Sequence, residues 1–367
     1  MRSDRENQLR TMIWLQIGAS LSRQALAALA ISKVDIAAIY ADPERVRSLQ
    51  NGVLIEQTAQ KIAESVPDEN AIDKVVKLMY SKGIQAIFYG DAEYPETLMK
   101  IDVPPAVLYA IGDVKLMKTL CVAVVGSRSV SHDGERATEM FTEALVRHSV
   151  TVVSGLALGI DAKAHLTALN NGGKTIAVLG NGVDRPYPSQ NRFIYEEILK
   201  KDGLILSEYC PGTVALPYYF PERNRIVSGL SRAVVVPEAS SLKSGSLITA
   251  NYALEQGKDL YIVPHSIFNR NGKGGNEYLE KLQGAIAISP ETVITGLGLK
   301  YKSKAEPKIA LDRTQKLIIE RLRKGKASFE ELMMITGSKV GELNATLATM
   351  EILGLIYKAE NNSYGAN

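Results

Sequence analysis

The apolar residues of the middle of the chain fall in short consecutive runs, at 122–125, 150–153, 175–179, 204–206, 233–236, 260–263 and 285–288. The runs are rich in Val and Ile and do not alternate with polar residues, the pattern of strands buried on both faces. Helix-length amphipathic stretches separate them, and that alternation predicts a parallel α/β sheet with right-handed crossovers. Residues 1 to 80 carry a different period. Leu15, Ile17, Leu21, Leu26, Leu29 and Ile36 recur at mixed three- and four-residue spacing, which predicts helices with Ser20 and Asp42 as caps. A weaker strand-like stretch follows at 84–88. Tyr94, Pro95, Pro104 and Pro105 mark 94–105 as an irregular connector, because proline fits neither a ladder nor a helix interior.

The pattern changes again at Lys302. Residues 302–326 hold nine basic and three acidic side chains, a basic linker running into a helix at 312–323. Helical stretches at 329–334 and 340–353 come next, then Gly354, Leu355, Ile356 and Tyr357 in a strand-like ending. That order suggests a small winged-helix domain. The chain therefore divides into a helical domain at 1–80, a sheet domain at 81–295, a basic linker at 296–310 and a terminal domain at 311–367.

Composition narrows the function classes. At 367 residues, with 46% hydrophobic and 23% charged residues, the chain is an ordinary globular protein of more than one domain. The formal net charge is only +3, so any polyanionic partner must meet a local concentration of positive charge. Cys121 and Cys210 make no disulfide framework, the four histidines are scattered, and no spacing suits zinc. Two reduced thiols fit a cytoplasmic protein. Arg2, Arg5 and Arg10 precede an apolar stretch from Met12, but Asp4, Glu6 and Arg23 disagree with a signal peptide. No segment reaches the ~18 uncharged apolar residues that span a bilayer. A membrane, a metal and a cofactor are not expected.

In an open parallel sheet, ligands collect at the carboxyl ends of the strands, where strand order reverses. The residues after each run are then the walls of a site. They are Gly126, Ser127, Arg128 and Ser129; Ser154 and Gly155, continuing to Asp161; Gly180, Gly182 and Asp184, then Tyr187, Pro188 and Asn191; Ser207 and Glu208, later Arg223, Asn224 and Arg225; and Glu238, then Lys243, Ser244, Gly245 and Ser246. Glycines there let backbone N–H groups approach a ligand. Helix N-termini opening near Ala157 and Ser246 add positive dipole ends. With arginines and hydroxyls beside them, such donors suit phosphate oxygens. The bland reading is that the glycines only make tight turns.

Three motifs fail. Gly173, Lys174 and Thr175 resemble the end of a P-loop, but Ala168 stands where its first glycine belongs, and the tripeptide leads into a strand instead of following one. No G-x-G-x-x-G follows the first run. Ser127, Ser154 and Ser246, with His132, His165 and His265, lack the elbow of a nucleophilic triad. His165 reads as a packed histidine, and Asp161, Asp184, Glu208 and Glu238 read as structural carboxylates.

Taken together, these loops resemble the DNA-processing protein A family (DprA, also called Smf). The matching words are VAVVGSR at 122–128, VVSGLALGIDAKAH at 152–165, TIAVLGNGVD at 175–184, YPSQN at 187–191, FPERNRIVSGLS at 220–231 and SGSLITANYALEQGK at 244–258. YPETL at 94–98 and VPPAVLYAIG at 103–112 also fit. Pro237, His265 and the stretch from Lys273 to Asn276 depart from the family pattern. The resemblance implies a Rossmann-like doubly wound, mostly parallel sheet. In front stands a helical extension like a sterile alpha motif or helix-hairpin-helix, and behind it a winged helix. It also implies non-catalytic single-stranded DNA binding in natural transformation, loading of the RecA recombinase, and a homodimer through Tyr278, Leu279, Leu282 and Ile286. On that reading phosphates lie along Arg128, Lys174, Arg223, Arg225 and Lys243, while Tyr218, Tyr219 and Phe220 stack bases. A phosphoribohydrolase-type enzyme and a sensor of a nucleotide-like ligand share the fold. The enzyme's motif needs an acid where Thr249 follows the glycine-serine turn.

Overall fold

The chain opens with helices α1 (Asp4–Ile17), α2 (Arg23–Ile31), α3 (Ile36–Ala41), α4 (Glu56–Ala63) and α5 (Glu69–Lys82). Serine and aspartate side chains cap most of them, accepting from the otherwise unpaired first-turn N–H groups. Ser22, not Ser20, caps α2, since its side chain accepts from the Ala25 N–H. Asp35 caps α3, and Asp42 ends that helix. These assignments come from a computed structural model that describes residues 3–32, 35–49, 55–242, 244–281, 283–303, 311–359 and 363–366. Lys243, Leu282 and the linker at 304–310 lie outside the described residues.

Next come β1 (Gln85–Phe88), α6 (Glu96–Met99), β2 (Val107–Gly112), β3 (Cys121–Val124), α7 (His132–Arg147), β4 (Thr151–Ser154), α8 (Ile160–Asn170), β5 (Thr175–Val178), α9 (Arg192–Lys200) and β6 (Leu204–Ser207). The unit closes with α10 (Tyr219–Leu230), β7 (Ala233–Val236), α11 (Gly245–Glu255), β8 (Asp259–Ile262), α12 (Lys273–Glu280), β9 (Ala285–Ile286) and α13 (Pro290–Gly296). The strands form one sheet in the order β1-β2-β6-β5-β4-β3-β7-β8-β9. From β6 to β9 every pairing is parallel. The order runs outward from β3 to β6 and then returns with β7 beside β3, so the switch point lies at β3, a Rossmann-like doubly wound arrangement.

Two expectations need correction. Val107–Gly112, not read as a strand, is β2, and it pairs antiparallel with both β1 and β6. The run at 285–288 is not buried on both faces. β9 is the edge strand, so only β8 covers it, and Ile286 is 57% exposed.

Successive residues of the central strands serve opposite faces. Val122 and Val124 pack with Phe141, Leu145 and Ile160, while Ala123 and Val125 pack with Ile226, Leu230 and Leu247. The N-terminal helices use the same sheet as their floor. Trp14, Leu29 and Ile62 share one cluster with Tyr109, Leu179, Ile198 and Ile205. Gln16 ties the two parts further, donating to the Glu208 carbonyl at 2.9 Å and accepting from the Tyr109 hydroxyl at 3.0 Å. The boundary expected near residue 80 is bridged by this core.

The contact pattern instead separates Met1–Ser303 from Lys304–Asn367. Leu297, Leu299 and Tyr301 pack against the cluster of α7 and α13, so the expected linker begins later than 296. In the second unit, α14 (Arg313–Leu322), β10 (Ala327–Ser328), α15 (Phe329–Thr336), α16 (Val340–Ile352), β11 (Ile356–Ala359) and β12 (Ser363–Ala366) follow in turn. Its three strands are antiparallel in the order β10-β12-β11. Ile318, Leu332, Leu343, Leu347, Met350 and Tyr364 fill its own core. Among the described residues no helix is long and apolar enough to cross a membrane.

Candidate nucleic-acid interface

Ser127 is the hub of the switch point. Its N–H donates to the Glu238 carbonyl at 2.9 Å, its carbonyl accepts from the Ile160 N–H at 3.1 Å, and its hydroxyl accepts from the Ser240 N–H at 3.1 Å. The loops after β3 and β7 and the start of α8 are thereby sewn together. Gly159 makes this possible. It holds φ +78°, and a Cβ there would stand 2.2 Å from the Ser127 carbonyl oxygen, so backbone freedom and close approach are both required.

Beside this hub opens a cleft of about 480 Å³, walled by Gly126, Ser127 and Arg128, by Gly155 and Asp161, by Phe220, Arg223 and Asn224, and by Ser244, Gly245 and Ser246. A neighbouring cavity of about 760 Å³ shares Arg128, Gly155, Phe220 and Arg223 and adds Tyr187, Pro188 and Gln190. Tyr187 stacks on Phe220 with ring centroids 5.3 Å apart, so an aromatic wall stands beside the arginines.

The two arginines of the cleft do different work. Arg223 is buried, and its guanidinium donates to the Gly155 carbonyl at 2.8 Å and to that of Val178. Burial pulls its pKa down to about 10 against the nearby Asp161 charge, so it stays cationic at neutral pH. Arg128 is exposed, and among the described residues it makes no ion pair or side-chain hydrogen bond, so its charge is free for a ligand. The one carboxylate in the cleft wall among the described residues, Asp161, is buried and accepts from the Gly155 and Ala157 N–H groups at 3.0 and 3.4 Å. Burial raises its pKa against the pull of Arg223 and these donors.

Ten of the thirteen expected binding residues are thus placed at or under this edge: Gly126, Ser127, Arg128, Ser154, Gly155, Arg223, Asn224, Ser244, Gly245 and Ser246. Ser154 lies beneath the surface, buried, with its hydroxyl donating to the Val124 carbonyl at 2.7 Å. Lys174 is a correction. It precedes β5, at the amino end of the sheet, and its ammonium donates to the Lys201 carbonyl at 2.9 Å. Arg225 is another. It is buried in a bidentate pair with Glu208, at 2.8 and 2.6 Å, on the side of α10 turned away from the cleft residues. Lys243 is among the residues left undescribed. Of the expected dimer residues, Tyr278 is buried in the core with its hydroxyl donating to Asn251, and Leu279 packs partly against the same cluster. Leu282 is among the residues left undescribed, and of the described three Ile286 alone is exposed. Ser240 lies outside the expected binding set, and so does Tyr187, although the sequence already places the tyrosine among the walls of the site.

Acid–base chemistry finds little footing. Asp184 accepts from the Gly212 N–H at 2.7 Å, Glu238 from the Ser131 N–H at 2.8 Å, and Glu208 holds Arg225. Among the described residues, Ser127, Ser154 and Ser246 hydrogen-bond no histidine. His165 is fully buried. Its Nδ1–H donates to Thr175 Oγ1 at 2.7 Å, and burial drives its pKa down to about 3. Thr249 is buried in the cleft wall where the phosphoribohydrolase motif has its acid. No metal-competent cluster of His, Cys, Asp and Glu occurs among the described residues.

A doubly wound sheet with an arginine-bearing cleft and an aromatic wall at its switch point defines a Rossmann-like α/β protein with a cleft at the carboxyl edge of its sheet. The family model for DNA recombination-mediator protein A matches residues 85–297. Protein Smf of Synechocystis sp. is 36% identical over 322 residues, covering 77% of this chain and 80% of its own. The structure of DNA processing protein A from Streptococcus pneumoniae superposes with a TM-score of 0.62 at 32% identity, over 80% of this chain and 99% of that one. A second structure, of DNA processing protein A from Helicobacter pylori, was described for its single-stranded DNA binding mode. It aligns with a TM-score of 0.54 at 33% identity, over 60% of this chain and 97% of that one. The chain belongs to the DNA recombination-mediator protein A family.

Proposed function

We propose that this chain binds single-stranded DNA along the carboxyl edge of its sheet, protects it, and delivers it to the RecA recombinase during natural transformation. It does so in the cytoplasm and without catalysis. One observation carries the reading: Arg128 is exposed and unpaired among the described residues, in a cleft it shares with the Tyr187–Phe220 stack and the first residues of α11. Charge and N–H donors suit phosphates in any sequence, and a ring face suits any base. The H. pylori relative, described as a single-stranded DNA binder, supports the same reading. A homodimer through the β9 edge around Ile286 would place two such clefts on one strand. The second unit is read as a winged helix. Its residues 327–367 hold two basic and five acidic side chains, a balance that favours a protein contact over groove insertion.

The test is fluorescence anisotropy of labelled single- and double-stranded oligonucleotides across a salt series, without nucleotide or metal. Wild type is expected to prefer single strands and to weaken steeply with salt. Arg128→Ala should weaken binding to every sequence and reduce the slope of log K against log salt by about 0.7, the share of one phosphate on a single strand. Preference for duplex, or no binding, would overturn the proposal. Release of base from nucleoside monophosphates would instead favour the enzyme reading.

A further inference from the structure

The loop from β8 to α12 departs from the family pattern in sequence, and it carries the most exposed aromatic ring among the described residues. Phe268 is 88% exposed and Ile267 86%. Apolar side chains on a mobile loop need no explanation, but this loop is braced. The His265 N–H and carbonyl are clamped by the Asn276 amide at 3.0 and 2.9 Å, and His265 Nε2–H donates to the Pro237 carbonyl at 2.7 Å. One residue past the ring, the Asn269 amide nitrogen lies 3.2 Å from His265 Nδ1, 3.3 Å from Ser131 Oγ and 3.4 Å from Glu238 Oε1. The fold holds Phe268 out in water at the cost of its apolar surface.

The bracing also joins the loop to the cleft. The Gly275 N–H donates to the Ala239 carbonyl at 3.1 Å, and Gly274 lies so close to the Ser241 backbone that a Cβ would stand 2.5 Å from it. Ser240, between those two residues, is part of the cleft wall and binds Ser127. Arg270, two positions after Phe268 in the chain, is exposed, and Lys273 follows, paired at 3.6 Å with Glu277. Two apolar side chains fall far short of the ~800 Å² per partner that a stable protein interface needs. A single exposed ring on a loop that carries Arg270, tied by backbone contacts to the segment that walls the cleft, suits a nucleobase with its neighbouring phosphates.

We infer that Phe268 is a second base-stacking position, on which a single strand leaving the Arg128–Phe220 cleft lays a base while Arg270 meets an adjoining phosphate. The inference rests on the proposed single-stranded DNA binding, and the strand length needed to reach the loop tells the two apart. The experiment measures full-length protein with oligothymidylates from about 4 to about 16 nucleotides, the range of single-strand site sizes. Wild-type affinity should rise in a step once the strand reaches the loop. Phe268→Ala should lose that step, about tenfold, while binding the shortest strands as wild type does. Phe268→Trp should keep the step and show emission quenched only by the longer strands, because the native Trp14 is fully buried. Equal length dependence in wild type and Phe268→Ala would overturn the inference and leave the cleft reading intact. A changed sedimentation coefficient in Phe268→Ala with unchanged DNA binding would also overturn it, assigning the loop to a protein contact. Absence of binding at any length would overturn both.

Discussion

Arg223 and Arg225 stand two positions apart on α10, and helical geometry sends them opposite ways. The first closes the floor of the cleft, and the second neutralises Glu208 within the core. Residue type told where cations lie along the chain but not which of them face solvent. Burial and partners separate Arg128, free among the described residues, from Arg225 and Lys174, each already engaged. His165 shows the same lesson with a sign. It is neutral in the fold, with a pKa near 3, against about 6.5 in an unfolded chain. Between those values the unfolded chain binds the extra proton, so this residue's contribution to stability is intact above pH 6.5 and drains away below it. From pH 7 to pH 5 wild type should therefore lose about 2 kcal/mol more than His165→Gln, as measured by urea unfolding at both values. Parallel pH profiles for the two proteins would contradict the buried neutral imidazole.

At the scale of elements, the central strands were legible because burial on both faces leaves a continuous apolar run, and the sheet shows that burial residue by residue. β2 was not, since Pro104 and Pro105 lead straight into it and one of its two partners, β6, is remote in sequence. β9 was legible as a strand but not as an edge, because a run's composition does not say how many neighbours it has. The loops after the strands were legible as site walls through their glycines, and Gly159 carries the clearest consequence. Gly159→Ala should cost about 2 kcal/mol or more in a denaturant titration, from strain at positive φ and a collision with the Ser127 carbonyl. Because that carbonyl belongs to the hub of the cleft, single-strand affinity should fall in the same variant. A stable Gly159→Ala with unaltered binding would show that the hub yields easily.

For the whole molecule, the sequence announced the change of composition at the second unit but not the fusion of the first helices with the sheet. Amphipathic helices look alike whether they cover one another or a neighbouring sheet, so a boundary near 80 was the natural reading. The edge strand bears on assembly in the same way. If the proposed homodimer forms through this edge, Ile286→Asp should shift the protein from dimer to monomer in sedimentation velocity and lower affinity about a hundredfold for strands long enough to span two clefts. Short strands should bind as before, and an unshifted coefficient would exclude this edge from the dimer.

The core shared by the first helices and the sheet also sets a timetable. Trp14 and its neighbours are completed by Ile198, Ile205 and Cys210, which emerge from a ribosome only after more than half the chain has been made. At about 5–20 residues per second, the opening helices wait on the order of ten seconds or more with their apolar faces uncovered. The opening helices are therefore covered only once β6 has been made, well after their own synthesis, and their apolar faces stay in contact with water during that wait.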